Sequence, residues 1–261
     1  ASRTAADKYN QHPLNKMAIS PRVKALAVSQ TLAMSQKSAE LKAQGIDIIN
    51  LSVGEPDFNT PDHIKQAGIK AIEENYSFYS PVPGYMSLRK AIADKLSREN
   101  GLSFEPAQIV VGNGAKHSLC NVIMATVAPG DEVIIPTPAW VSYVEMVKLA
   151  EGKSVLVPTG LEQNFKITPA QLEAAITPRT TAIILCSPSN PTGSVYTREE
   201  LQSLVDVLAR HPQVLVIADE IYEHINYTGG DFVSLASFPE IADRTVVING
   251  VSKAYAMTGW R

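Results

Sequence analysis

The sequence predicts an α/β fold with a mainly parallel sheet covered by helices on both faces. Three observations carry that expectation. Short β-branched runs alternate with helical ones along the second half of the chain. Several of those runs are apolar throughout instead of alternating, the pattern of strands buried on both faces. Polar and aromatic residues gather directly after the strand runs, where open α/β sheets bind ligands.

In chain order, residues 1–16 are polar and patternless and are expected to be a leader ahead of a native start at Met17. Residues 31–44 are rich in helix formers and stop at Gly45, and residues 47–52 read as a short strand. The Gly, Pro, Asp and Asn of residues 53–61 forbid regular structure, residues 62–75 read as a helix, and residues 77–85 form another Pro/Gly loop. Leu88, Ile92 and Leu96 put one apolar face on a helix over 87–100. Strands are then expected at 108–111, 132–135, 154–157, 182–185, 214–218 and 245–248. Helices are expected between them at 116–127, 141–150, 169–175 and 198–210.

Bulk properties narrow the function. With 45% hydrophobic and 19% charged residues the chain has a globular composition, and its net charge of -3 gives no basic footprint for nucleic acid. Cys120 and Cys186 fit no metal-ligand or CxxC spacing and read as reduced core residues. No run approaches the ~18 apolar residues of a membrane span, so the cytoplasm is the expected compartment and no membrane or nucleic-acid partner is expected.

Five of the six strand runs deliver unusual residues to one edge. They are Gly112 to Lys116, Pro136 to Trp140, Ser187 to Gly193, Asp219 to Tyr222, and Asn249 to Lys253. Singly, each has an ordinary reading: a strand-to-helix turn, a core aromatic, a proline turn, a helix cap, a surface lysine. Jointly they describe one site. A helix N-terminus at Gly114 and Ala115 offers backbone N–H groups to a phosphate. Trp140 can stack on a flat heteroaromatic ring. A carboxylate, an amide and a phenol (Asp219, Asn190, Tyr222) can bond its edge, Lys253 can form an imine, and Arg261 can pair with phosphate. That set fits pyridoxal 5'-phosphate.

At these residues the chain resembles the class I (fold-type I) pyridoxal-phosphate aminotransferases, in the bacterial aspartate aminotransferase subgroup. The likeness rests on VGEPDFNTP from Val53, SPSNPTG from Ser187, DEIYEH from Asp219 and above all SKAYAMTGWR from Ser252 to Arg261. It implies that Lys253 holds the cofactor as an internal aldimine and shuttles the substrate proton, with Asp219 and Tyr222 as its catalytic companions. Asp219 would pair with the pyridine nitrogen, Asn190 and Tyr222 with the phenolic oxygen, Trp140 with the ring face, and Gly114, Ala115, Ser252 and Arg261 with the phosphate side. Tyr79 is similar to a tyrosine that reaches the cofactor of a partner subunit, which implies a homodimer. Thr31 and Lys116 would meet the distal carboxylate of the substrate, with Gly54, Trp140 and Asn190 also beside it.

The implied reaction moves the amino group of L-aspartate, or a similar amino acid, to 2-oxoglutarate. A lyase or synthase of the same fold and a glutamate–prephenate aminotransferase are the alternative enzymes. A non-catalytic, aminotransferase-like module of a regulator is the alternative outside enzymology, although no helix-turn-helix precedes Met17. Two departures from the family pattern stand out. Gly250 occupies a position where the family often has a phosphate-binding serine, and the family continues beyond the GWR motif into another strand and a small domain with the α-carboxylate arginine. The expected organisation is therefore a leader at 1–16, an N-terminal arm and part of a small domain at 17–53, and a large cofactor-binding domain at 54–261, incomplete at its C-terminus. The 261 residues by themselves are expected to be inactive.

Overall fold

Five strands form one parallel sheet, and the side chains of each strand divide its core between two faces. The computed structural model describes residues 19–27, 30–49 and 54–260, with the side chains of 30–32 outside that description. The elements are α1 (Pro21–Lys24), α2 (Gln30–Ala43), α3 (Asp62–Glu73), α4 (Met86–Asn100), α5 (Ala115–Thr126), β1 (Glu132–Thr137), α6 (Ser142–Leu149), β2 (Lys153–Pro158), α7 (Pro169–Ala175), β3 (Thr180–Cys186), α8 (Arg198–Ala209), β4 (Leu215–Asp219), β5 (Thr245–Ile248) and α9 (Val251–Ala254). The spatial order is β2-β1-β3-β4-β5, and every neighbouring pair is parallel.

Because successive side chains point to opposite faces of a strand, the apolar runs feed two cores. Val133, Ile135, Ala182, Ile184 and Ile217 pack with Leu119 and Ile123 of α5 and Tyr143, Met146 and Val147 of α6. Ile134, Ile183, Leu185, Val216 and Ala218 pack on the other side with Leu172 of α7 and Leu201, Leu204, Val205 and Leu208 of α8. Burying one such Leu or Ile side chain stabilises the fold by ~2 kcal/mol. Continuous apolarity was therefore the correct sign of a doubly covered sheet. A third, smaller cluster seats α4 through Leu96, with Ile92, Leu102, Phe104, Ala236 and Val247 around it.

The amino edge of the sheet is fastened by charge. Glu132 opens β1 and accepts hydrogen bonds from Lys153, Arg179 and the Thr177 hydroxyl, and these bonds hold its pKa down at about 2.

One strand expectation fails and another falls partly outside the described residues. Residues 47–49 form no strand, and residues 50–53 lie outside the described residues. Residues 108–111 were expected to open the sheet, but Pro106–Gln108 is a short 3-10 turn and residues 109–111 join no ladder. Ile109 does have extended backbone (φ -107, ψ 128), and Val111 N–H donates to the Pro83 carbonyl at 3.0 Å. Pro83 has no N–H with which to return a bond. Val110 is left 69% exposed.

Candidate active site

The functional edge follows from the strand order. The chain runs from β1 out to β2, then returns to the far side of β1 to make β3. At such a reversal the loops leaving the adjacent strands diverge and open a crevice beyond their carboxyl ends. Pro138 and Ala139 after β1, Ser189 and Asn190 after β3, and Tyr143 and Cys186 line a hollow there.

Asp219 closes β4 level with Cys186 of β3 and Ile248 of β5, so three strand ends are in register beside it. Its side chain is buried, at 3% exposure, and accepts from the Tyr143 hydroxyl at 2.5 Å and from Ile221 N–H at 3.3 Å. Burial raises the Asp219 pKa, and the bonds from Tyr143 and Ile221 work against that rise. Burial and then the Asp219 charge push the Tyr143 phenol well above its usual range, while burial lifts the Cys186 thiol to about 12. The carboxylate thus sits among neighbours that keep their protons. It can accept a cationic N–H in a dry setting.

The next residue faces away from this edge. Glu220 is also buried; its Oε1 accepts from the Ser234 hydroxyl at 2.8 Å and from Leu235 N–H at 3.0 Å. Its Oε2 has no partner among the described residues, and burial raises its pKa to about 8. Neither acid of the Asp219-Glu220 pair is a solvated surface group.

Asn190 Nδ2 donates to the Tyr222 hydroxyl oxygen at 3.2 Å, and burial raises the Tyr222 pKa. Lys253, on α9, is half-buried; its Nζ lies 5.7 Å from the Tyr222 ring centroid and donates to the Gly54 carbonyl at 2.5 Å. Ser252 beside it is buried. Trp140 meets Tyr143 edge to face, with centroids 5.4 Å apart and planes at 89°, and Lys116 Nζ stands 5.2 Å from the Trp140 ring centroid. Gly114 caps α5 with φ +84, a conformation that residues with a Cβ adopt at a cost. That turn leaves Ala115 as the first helical residue, where backbone N–H groups lack intrahelical acceptors.

Seven of the expected site residues are thus joined, together with Tyr143, in two chains of contact, and among the described residues no such contact ties in Gly114, Ala115 or Ser252. One runs Lys116, Trp140, Tyr143, Asp219, and the other Asn190, Tyr222, Lys253, Gly54. Tyr79 is not joined to either, being fully exposed. Arg261 lies outside the described residues, as does the Thr31 side chain. At Gly250 the backbone is extended, and an added Cβ would stand 3.2 Å from Ile221 Cδ1, so a serine there would need that methyl to shift by a few tenths of an ångström.

Sequence reasoning passed over two features. Tyr143 reads as an ordinary apolar residue of a helix, and only its spacing of three from Trp140 hints at a shared role. The second is a strap: the Thr60 hydroxyl donates to the Ala256 carbonyl at 2.6 Å, Trp260 Nε1 donates to the Thr60 hydroxyl oxygen at 3.1 Å, and the Thr258 hydroxyl donates to Glu55 at 2.5 Å.

Residues 46–261 match the family model described as aminotransferase class I and II. The chain is 54% identical over 246 residues to an aspartate/prephenate aminotransferase of Nitrosomonas europaea, covering 94% of this chain and 62% of that protein. It is likewise 54% identical over 247 residues to an aspartate aminotransferase of Geobacillus stearothermophilus, again covering 94% and 62%. Among solved structures, the Thermus thermophilus aspartate aminotransferase with maleate superimposes with a TM-score of 0.90 at 44% identity, over 94% of this chain and 63% of that one. The chain therefore spans about three-fifths of the length of these relatives. From strand order, site and sequence together, this chain belongs to the class I and II aminotransferases.

Proposed function

We propose that the protein carrying this chain is a pyridoxal-phosphate-dependent aminotransferase that moves the amino group of L-aspartate to 2-oxoglutarate. The observation that carries the reading is the buried Asp219 carboxylate, held by Tyr143 on the same strand-end edge as the Asn190–Tyr222 pair and the Lys253 amine. A dry carboxylate, an amide–phenol pair, an indole and a primary amine are the donor set that a phosphorylated pyridine aldehyde requires, so the residues fit this cofactor.

When bound, pyridoxal phosphate supplies an aldehyde that condenses with amines and a ring that accepts the electron pair left on the substrate α-carbon. Asp219, as a carboxylate, holds the proton on the ring nitrogen and so keeps that ring electron-poor. Asn190 Nδ2 already donates to the Tyr222 oxygen, which turns the tyrosine's own proton toward an anionic acceptor such as the ring's phenolic oxygen. Lys253 would hold the cofactor through its amine and, once that amine is free, would carry the proton between the substrate α-carbon and C4′. Trp140 covers one ring face and limits water, while the Gly114–Ala115 helix start and Arg261 hold the phosphate, with Ser252 alongside. Lys116 and Thr31 receive the distal carboxylate, and Gly54 borders the substrate. The four-carbon dicarboxylate maleate in the Thermus thermophilus structure supports a dicarboxylic substrate.

The finer arrangement belongs to the same proposal: residues 54–261 as the cofactor-binding domain of a cytoplasmic homodimer in which Tyr79 reaches the partner's cofactor. Prephenate as an amino acceptor is a second reading, favoured by the name of the Nitrosomonas europaea relative.

The test uses protein expressed from its complete reading frame. Aspartate and 2-oxoglutarate should exchange amino groups without net ammonia or pyruvate, and release of either product as the main outcome would favour the lyase reading. Borohydride should trap pyridoxal phosphate covalently on the protein, and Lys253→Ala should abolish that adduct. An adduct persisting on another lysine would overturn the assignment.

A further inference from the structure

We infer that Tyr143 is a positioning residue that keeps the shared proton on the cofactor's ring nitrogen instead of on Asp219. The inference rests on the pyridoxal-phosphate reading above and adds a residue to it.

Tyr143 is 2% exposed, and its hydroxyl donates to Asp219 Oδ2 at 2.5 Å. A carboxylate and a pyridine nitrogen in contact compete for one proton. A donor bonded to the carboxylate stabilises its ionised form, lowers its proton affinity and leaves the proton on nitrogen. Among the described residues, the groups that act on Asp219 include Tyr143 from α6, Cys186 from the end of β3, Ile221 N–H, and Tyr222 one turn on. Cys186 and Tyr222 hold their protons across the physiological range, since burial raises both. Of these side chains, the Tyr143 hydroxyl is the one whose bond lowers the Asp219 pKa.

The same side chain also meets Trp140 edge to face, and Tyr143 N–H donates to the Trp140 carbonyl at 3.1 Å. One residue therefore fixes both the group stacked on the ring and the group bonded to its nitrogen. Tyr143→Phe keeps the aromatic packing and removes only the hydroxyl, which isolates the proton effect from the packing effect.

The experiment loads the complete protein with pyridoxal phosphate labelled with 15N at the ring and follows that resonance against pH. In wild type the nitrogen stays protonated to a higher pH than in Tyr143→Phe, and the transition in the variant falls by about one pH unit, equivalent to the loss of one hydrogen bond to a charged group. Affinity for pyridoxal phosphate should weaken about tenfold in the variant. Affinity for the 1-deaza analogue, which has carbon in place of that nitrogen, should not change; equal weakening for both ligands would mean a merely structural role. Should Tyr143→Phe not fold, 3,5-difluorotyrosine installed at position 143, a stronger donor of the same shape, must raise the transition pH. An unmoved transition in whichever variant folds overturns the inference. Failure of wild type to bind pyridoxal phosphate would instead overturn the reading on which it rests.

Discussion

Asp219 and Glu220 are neighbours in sequence and both buried, yet the reversal of side-chain direction along the chain gives them different surroundings. Asp219 faces the crevice, where a cation can meet it, whereas Glu220 faces Ser234 and Leu235 and keeps one oxygen without a partner among the described residues. Its folded pKa of about 8 lies above the ordinary 4.5, so the folded form binds a proton that the unfolded chain releases across that interval. Stability from this residue is complete below pH 4.5 and is lost as pH rises toward 8. Glu220→Gln, which cannot ionise, should flatten that decline and so gain stability over wild type as pH rises from 5 to 7. Urea unfolding at pH 5 and pH 7 would measure it, and an identical pH slope in the variant would show that the carboxyl is ionised in the fold. Glu132 has the opposite sign. Its depressed pKa makes stability present above 4.5 and lost as pH falls toward 2, so Glu132→Gln should reduce acid sensitivity in that range.

At the level of elements, helices whose ends carry chemical punctuation were the most legible. The start of the span 169–175 was legible, because Thr168 caps it by accepting from Gln171 N–H, Gln171 answers in a capping box, and Pro169 fits its first turn. Thr197 and Glu200 do the same for α8. Thr197→Ala should lower stability by about 1 kcal/mol in chemical denaturation, and Thr197→Ser should restore most of it. The β-like run at 108–111 misleads because β-branched residues report a liking for extended backbone and say nothing of a neighbour to pair with. Its extended part is real, but its hydrogen-bond partner is a proline carbonyl. The candidate site residues stand out in the sequence for a different reason. Glycines, prolines, an indole and a lysine at strand ends are costly or idle in a core and therefore advertise a ligand, whereas Tyr143 is apolar enough to pass for packing.

The whole molecule presents an apolar loop outward: Phe78, Tyr79 and Val82 are each more than 80% exposed, and Tyr76 and Met86 flank them. Apolar groups clustered in this way usually belong to an interface. If the loop is the proposed dimer contact, sedimentation velocity on protein from the complete reading frame should give a dimer, and Phe78→Glu should shift it toward monomer while leaving the circular-dichroism spectrum unchanged. A wild-type monomer at tens of micromolar would remove that assignment. The strap from Gly54, Glu55 and Thr60 to Lys253, Ala256, Thr258 and Trp260 has a consequence in time. Its hydrogen bonds join residues about 200 positions apart, 196 in the case of Thr60 and Ala256. A chain emerging from the ribosome can pair β1 through β4 while translation continues, but the Gly54 carbonyl has no Lys253 amine to accept from until residue 253 has cleared the exit tunnel. The lysine side of the site is thus assembled after β1 through β4, and a nascent chain halted before that point would carry those strands without the amine that the proposed ligand requires.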